Sequence, residues 1–312
     1  MKRLAFVLSL LFFAASLLAD SRTGMWSAQL DNDSLHVNLT QPSHDGRFGQ
    51  NNIGTNLRLG SLTGLTGADL HSATADVHFT LNEAAGTISF EGRFSNGLGA
   101  GNYRFTPSDA FVREMASMGY DGGFSDDKML LFTIEEFRPQ TVRDLRAMGY
   151  TIEKNKIEEV AIFKIDANYA RELASLGLAT TTVRELVNLR IGRIDANFVR
   201  EMRAVGFDKL SAKQIADLGI MRVTPQYVRE LKGAGLTSIT PQQATNLKIG
   251  RITAEKIAAY KRLGYDLTPG QLSDFGIHRV TPEFIEEMRS AGEKNLTPGR
   301  LIELKIFSHA RR

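Results

Sequence analysis

From residue 106 onward, apolar residues recur at helical spacing in short runs, as in Val199 with Met202, Val228 with Leu231 and Ile285 with Met288. Steps of three on one face predict amphipathic helices about ten residues long, and each run meets a glycine suited to ending it. Those glycines are Gly119, Gly149, Gly177, Gly206, Gly235, Gly264 and Gly292, set at nearly equal intervals. Such a period marks stacked repeats. The pattern predicts seven repeated units over 106–312.

Each unit carries two helix starts. Thr224-Pro225 and Thr281-Pro282 place a capping hydroxyl before a proline whose missing N–H costs nothing at the first helical position. Thr106-Pro107 repeats that wording, Asp166-Ala167 and Asp195-Ala196 substitute another cap, and Arg138-Pro139 keeps only the proline. A second cap follows at Ser211, Thr240, Thr268 and Thr297, with a run such as Ile215, Leu218 and Ile220, or Leu272, Phe275 and Ile277, or Leu301, Leu304 and Ile306 behind it. This predicts a second short helix with its apolar run ending in a buried exit. Helices this short are marginal alone, so the units are expected to stack as a helical solenoid, the rival being a compact bundle. In a stack, removing one inner unit, such as residues 193–221, should be tolerated.

Residues 20–105 follow a different period. Alternating apolar and polar positions over 25–30, 34–40, 76–81, 87–94 and 102–105, with Val77, Phe79 and Leu81 or Ile88, Phe90 and Phe94 on one face, predict an antiparallel β domain. Asn96-Gly97 marks a tight turn, and 41–75 has room for one or two more strands. The fold class is therefore α+β, a small β domain followed by an α-helical repeat array.

The first residues belong to neither part. Lys2 and Arg3 precede an uncharged apolar run from Leu4 to Leu18 that ends at Ala19, Asp20 and Ser21. This reads as a secretory signal over 1–19, and the expected location is periplasmic or extracellular. Mass spectrometry of the native protein should find a start at or near Asp20. No later segment reaches transmembrane length, so no membrane span is expected after cleavage.

Charge changes the picture little. Without 1–19 the chain has 36 basic against 35 acidic residues, so a pI near 9 carries no nucleic-acid signal. The chain has no cysteine, which closes thiolate zinc sites, lipid thioesters and thiol nucleophiles.

The combination "GTISFEGRFSNGLGAGNYRFTPSDAFVREMASMGY", followed by units of the type "RVTPEFIEEMRSAG", resembles exported bacterial repeat proteins. It is similar to the extracytoplasmic repeat region attached to membrane metallopeptidases of the β-lactam-sensing antirepressor type. The resemblance implies an extracytoplasmic sensory or interaction module. The peptidase part is absent, since no His-Glu-x-x-His occurs.

Candidate chemistry is sparse. "GLGAGN" from Gly97 has the look of a phosphate loop but precedes a strand, and none of the six histidines pairs at metal-ligand spacing. No cofactor is expected. Carboxylates recur once per unit, as Glu172, Glu201 and Glu230, beside Arg171, Arg200 and Arg229. A catalytic pair should be singular, so repetition speaks for structure.

A second ladder is basic. Lys164, Arg193, Arg222, Arg251 and Arg279 occupy one position of successive units, anticipated by Arg104 and interrupted by Glu136. They either pair with the acidic ladder or with terminal carbonyls of neighbouring helices, the reading favoured here, or form a track for an acidic partner. The expected function is a non-enzymatic interaction scaffold with a protein or peptide partner. The alternative is a module sensing a glycan or cell-wall fragment, and a hydrolase site in the β domain comes last because no acid, base or nucleophile converges there.

Overall fold

The computed structural model describes residues 22–41, 51–178, 180 and 182–309. The expected signal, 1–19, lies outside the described residues.

Among the described residues, seven antiparallel strands follow the alternating pattern: β1 (Arg22–Asp31), β2 (Ser34–Gln41), β3 (Asn51–Arg58), β4 (Leu62–Thr63), β5 (Ala75–Glu83), β6 (Gly86–Ser95) and β7 (Leu98–Pro107). They form one sheet in the order β3-β2-β1-β7-β6-β5-β4. The two edge strands are consecutive in the chain, separated only by a 3-10 turn at Leu59–Ser61, so the sheet curls on itself. Its inner face is aromatic. Trp26 meets Phe79 and Phe90 edge-on, with ring centroids at 5.5 and 5.9 Å, and its indole N–H donates to the Glu91 carbonyl at 3.2 Å. Asn96 and Gly97 both have positive φ and turn β6 into β7, so the "GLGAGN" stretch is a hairpin turn and a strand. A single turn of helix, α1 (Gly67–His71), precedes β5.

Fourteen further helices among the described residues make seven pairs. The first helices of the pairs are α2 (Asp109–Ser117), α4 (Pro139–Ala147), α6 (Ala167–Ser175), α8 (Ala196–Ala204), α10 (Pro225–Gly233), α12 (Ala254–Arg262) and α14 (Pro282–Ser290). Their partners are α3 (Asp126–Ile134), α5 (Ile157–Ile162), α7 (Val183–Ile191), α9 (Ala212–Ile220), α11 (Pro241–Ile249), α13 (Pro269–Ile277) and α15 (Pro298–His309). The caps act where the sequence puts them: Asp195 accepts from the Phe198 amide at 2.7 Å and Thr224 from Tyr227 at 3.1 Å. Ser211 with Gln214 and Thr240 with Gln243 form reciprocal capping boxes. All seven marker glycines have positive φ. At Gly235 the amide bonds back to Lys232 and the following Leu236 amide reaches Leu231, the hydrogen-bond pattern of a left-handed helix end.

One start differs. The sequence pattern opens the first helix at Thr106-Pro107, but β7 continues through Pro107, paired to Gly86, and Ser108 caps α2 by accepting from Phe111 at 3.2 Å. Proline at a strand end sacrifices no ladder donor, so sheet pairing takes these two residues.

The chain divides into two compact units, residues 1–139 and 140–312. The last strand ends at Pro107, and the body containing the sheet also contains α2 and α3. Helix α3 packs on β5, β6 and β7 through a buried face of Met129, Leu130, Phe132 and Ile134. Ion pairs add to this contact, Arg22 with Asp127, Arg58 with Glu136, and Arg138 with Glu83 at 3.6 Å. Burial and the Glu136 carboxylate push the Glu83 carboxyl upward, against the pull of Arg138.

In the second body the helices stack in two rows. Helix α10 packs against α8 and α12, and α12 against α14; in the other row α7 meets α9, α9 meets α11, and α11 meets α13. This is nearest-neighbour packing around a shared apolar stripe that includes Val228, Leu231, Leu247, Tyr260 and Phe275. Tyr227 and Tyr260 donate their hydroxyls to the Ile252 and Val280 carbonyls, each at 2.7 Å. Burial pushes Tyr260 up to about 12, with Glu283 adding to the shift, and Tyr169 likewise to about 12. Unfolded tyrosine ionises near 10, so between pH 10 and 12 only the unfolded state releases these protons. The tyrosine contribution to stability should be constant below pH 10 and fall as pH rises from there, which melts at pH 9 and pH 11 would show.

The stack has a second period that doubles the first. Helices α9 and α13 carry Gly219 and Gly276 one residue before their last, and these lie against Gly192 and Gly250 at the ends of α7 and α11. Helices α7 and α11 carry Arg190 and Lys248 at that position instead, each over an aromatic ring: Tyr169 at 3.6 Å and Tyr227 at 4.5 Å. Lys305 covers Phe284 in the same way at 4.3 Å. The structural module is thus a double unit, two sequence repeats long. Deleting 193–221 alone would bring Lys248 onto Gly192 in place of Gly219. Removing 193–250 brings Gly276 there, so the longer deletion should melt higher than the shorter one by calorimetry.

Candidate partner-binding edge

The basic ladder stands at the exits of the second helices. Lys164, Arg193, Arg222, Arg251 and Arg279 all have φ between 50° and 56°, as does Glu136 after the first helix pair at 53°. At each exit the ladder residue is the left-handed residue beyond the helix. The Arg222 amide bonds to Gly219 and the Val223 amide to Leu218, and the pattern recurs at Arg251 and Arg279. Glycine holds this role at the first helix of every pair. Arginine holds it here at a backbone cost of about 1–2 kcal/mol per residue.

All five ladder residues are exposed. Among the described residues, the Arg193, Arg222, Arg251 and Arg279 side chains form no hydrogen bond or ion pair. One ion pair between neighbouring units instead joins Arg229 to Glu201 at 3.9 Å, an acidic-ladder residue with an arginine beside the next one. Terminal carbonyls are held by another series. Arg203 donates to Leu176 O at 2.5 Å, Lys232 to Val205 O at 2.5 Å, Lys261 to Ala234 O at 2.9 Å and Arg289 to Leu263 O at 2.6 Å. Each acceptor is the C-cap carbonyl of the preceding first helix, an orphan group at the negative end of a helix dipole. The sequence does show this series, a cation three positions before each of Gly206, Gly235, Gly264 and Gly292.

Beside the ladder runs a row that the apolar pattern alone places inside. Ile162, Ile191, Ile220, Ile249, Ile277 and Ile306, the last residue or nearly so of successive second helices, are exposed rather than buried. The reason is angular. Ile220 follows Leu218 by two positions, about 200° around the helix, so it points away from the stripe that Ile215 and Leu218 share. The buried exit is supplied by the residue after each arginine: Ile194, Val223, Ile252 and Val280.

Isoleucine and arginine rows meet in a cleft of about 450 Å³ lined by Ile249, Arg251, Lys256, Tyr260, Ile277 and Arg279. Lys256 donates to the Arg251 carbonyl at 2.8 Å, which fixes the rim. Glu283, held below the usual carboxylate range by Thr281 and its own backbone, also senses Lys256. The cleft therefore offers apolar walls and the cationic groups Arg251, Lys256 and Arg279. Among the described residues no group of three histidine, aspartate or glutamate side chains is placed to hold a metal ion, and no helix is long and apolar enough to cross a membrane.

In the first helix pair the same two positions are already occupied. Ile134 is 5% exposed, against 54% for Ile249 and 57% for Ile277, and Glu136 is paired with Arg58 at the end of β3. No family model, curated protein or solved structure matches this chain.

Proposed function

We propose that this chain is an exported, non-catalytic interaction scaffold that binds a protein or peptide along the isoleucine–arginine edge of its helical repeats. One observation carries the reading: positions that are buried and ion-paired against the sheet in the first pair recur, exposed and without ion pairs, at Ile220/Arg222, Ile249/Arg251 and Ile277/Arg279. A row of half-exposed isoleucines gains little from water and much from a partner, about 25 cal/mol per Å² covered. Retaining arginine where glycine is the easier residue fits a selected charge. The apolar row favours a polypeptide over the alternative ligand, a glycan or wall fragment, which has fewer apolar groups to cover it.

The test compares the intact protein with Ile249→Ser/Ile277→Ser in capture from an envelope extract. Both side chains are more than half exposed, so the double variant should melt within about 1 kcal/mol of the parent. A polypeptide retained by the parent and lost by the variant supports the proposal. Equal retention by both removes the edge from it.

A further inference from the structure

Resting on the scaffold reading, we infer that the edge takes an extended acidic segment with a three-residue period, one apolar and one acidic side chain per triplet. Three arguments lead there. The first is sign. Arg222, Arg251 and Arg279 are exposed without an ion pair, and Lys256 joins two of them in the cleft. In the first pair, where the edge position is Glu136, the group received from the sheet is Arg58. With the edge charge reversed in later units, the complementary group is a carboxylate.

The second is pitch. Packed helices lie about 8–10 Å apart. Three residues of polyproline II chain advance about 9 Å, whereas same-face residues of a strand repeat at about 7 Å and drift out of register within two units. The third is density, because the units whose second helices end at Ile191, Ile220, Ile249 and Ile277 each offer one exposed isoleucine and one arginine two positions on. A docked helix presents three or four apolar residues per two turns, more than one isoleucine per unit can cover. An extended triplet matches one to one.

The probe is the fifteen-residue peptide (Leu-Asp-Pro)5, measured by calorimetry against the full chain. The comparators are (Leu-Lys-Pro)5, (Leu-Asp)8, polygalacturonate and anionic phosphatidylglycerol vesicles. We expect the triplet acid to bind at least tenfold tighter than any comparator and to weaken with added salt. Arg222→Gly/Arg251→Gly/Arg279→Gly should abolish that preference. Because glycine is at ease at these backbone angles, loss of binding in this variant cannot be put down to misfolding, and its melt verifies that. No binding of the triplet, equal binding of the two-residue period, or preference for the glycan or vesicles overturns the inference. If the triplet fails while envelope capture still depends on Ile249 and Ile277, only the register and sign fall. If capture ignores those residues too, the scaffold reading falls with them.

Discussion

Gly276→Ala and Gly219→Ala are each expected to lower stability by about 2 kcal/mol, although alanine is the better helix residue by about 1 kcal/mol. A Cβ on Gly276 would sit 2.3 Å from the Gly250 carbonyl oxygen and 2.5 Å from its Cα, and one on Gly219 would sit 2.3 Å from Gly192 O. All of these are backbone atoms that no rotamer change can move. The two helices must separate, and overpacking of this kind costs about 1–3 kcal/mol or more. In a body of this size the loss corresponds to roughly 4–8 °C in Tm. The control is Lys248→Ala, the same position one unit away, which forfeits only its contact with the Tyr227 ring, about 0.5–1 kcal/mol. Equal effects at Gly276 and Lys248 would remove the double unit as the structural module.

What the sequence disclosed, and what it hid, follows from how local each signal is. Helix starts depend on a hydroxyl and the amide three positions on, and left-handed ends on one glycine, so Thr224, Ser211 and Gly235 could be read directly. Strands announce themselves by alternation, and β5 and β6 lie where Val77, Phe79, Ile88 and Phe90 place them. The double unit is harder because its signal is a relation between two glycines almost a whole repeat apart, each of which alone looks like an ordinary helix ending. Ile220 and Ile277 mislead for a different reason. Their identity suggests the core, and only their angle to Leu218 and Phe275 puts them outside. The ladder's position is evident from the repeat, but its left-handed backbone is not, since arginine is a residue that scarcely suggests it. Nor does composition alone reveal that the helix pair before Pro139 belongs with the sheet. That rests on the buried face of Met129, Leu130, Phe132 and Ile134 meeting β5, β6 and β7, with Arg58 on Glu136 and Glu83 on Arg138 beside it, contacts far apart in the chain that only the fold brings together.

Replacing Arg193, Arg222, Arg251 and Arg279 together by glycine is expected to leave stability unchanged or to raise it by about 1–2 kcal/mol, since glycine adopts the left-handed region without penalty. Replacing them by valine should lower it, and by more than either single glycine-to-alanine change above. The glycine expectation balances three effects at each site. Relief of the left-handed backbone gains about 1–2 kcal/mol. The greater freedom of unfolded glycine returns about 0.5–1 kcal/mol, and the lost attraction between a cation and the helix C-terminus about 0.3 kcal/mol when screened by salt. Valine loses the same charge and adds β-branching at φ near 55°, where branched side chains are true outliers. The contrast between the two sets isolates backbone conformation from charge, because both remove all four guanidinium groups. Thermal melts at high salt read the backbone effect with the dipole attraction suppressed. Similar melting of the glycine and valine sets would contradict the left-handed exits themselves. A large loss with glycine would instead return the arginines to a structural role, and with it the pairing that the repeat pattern first suggested.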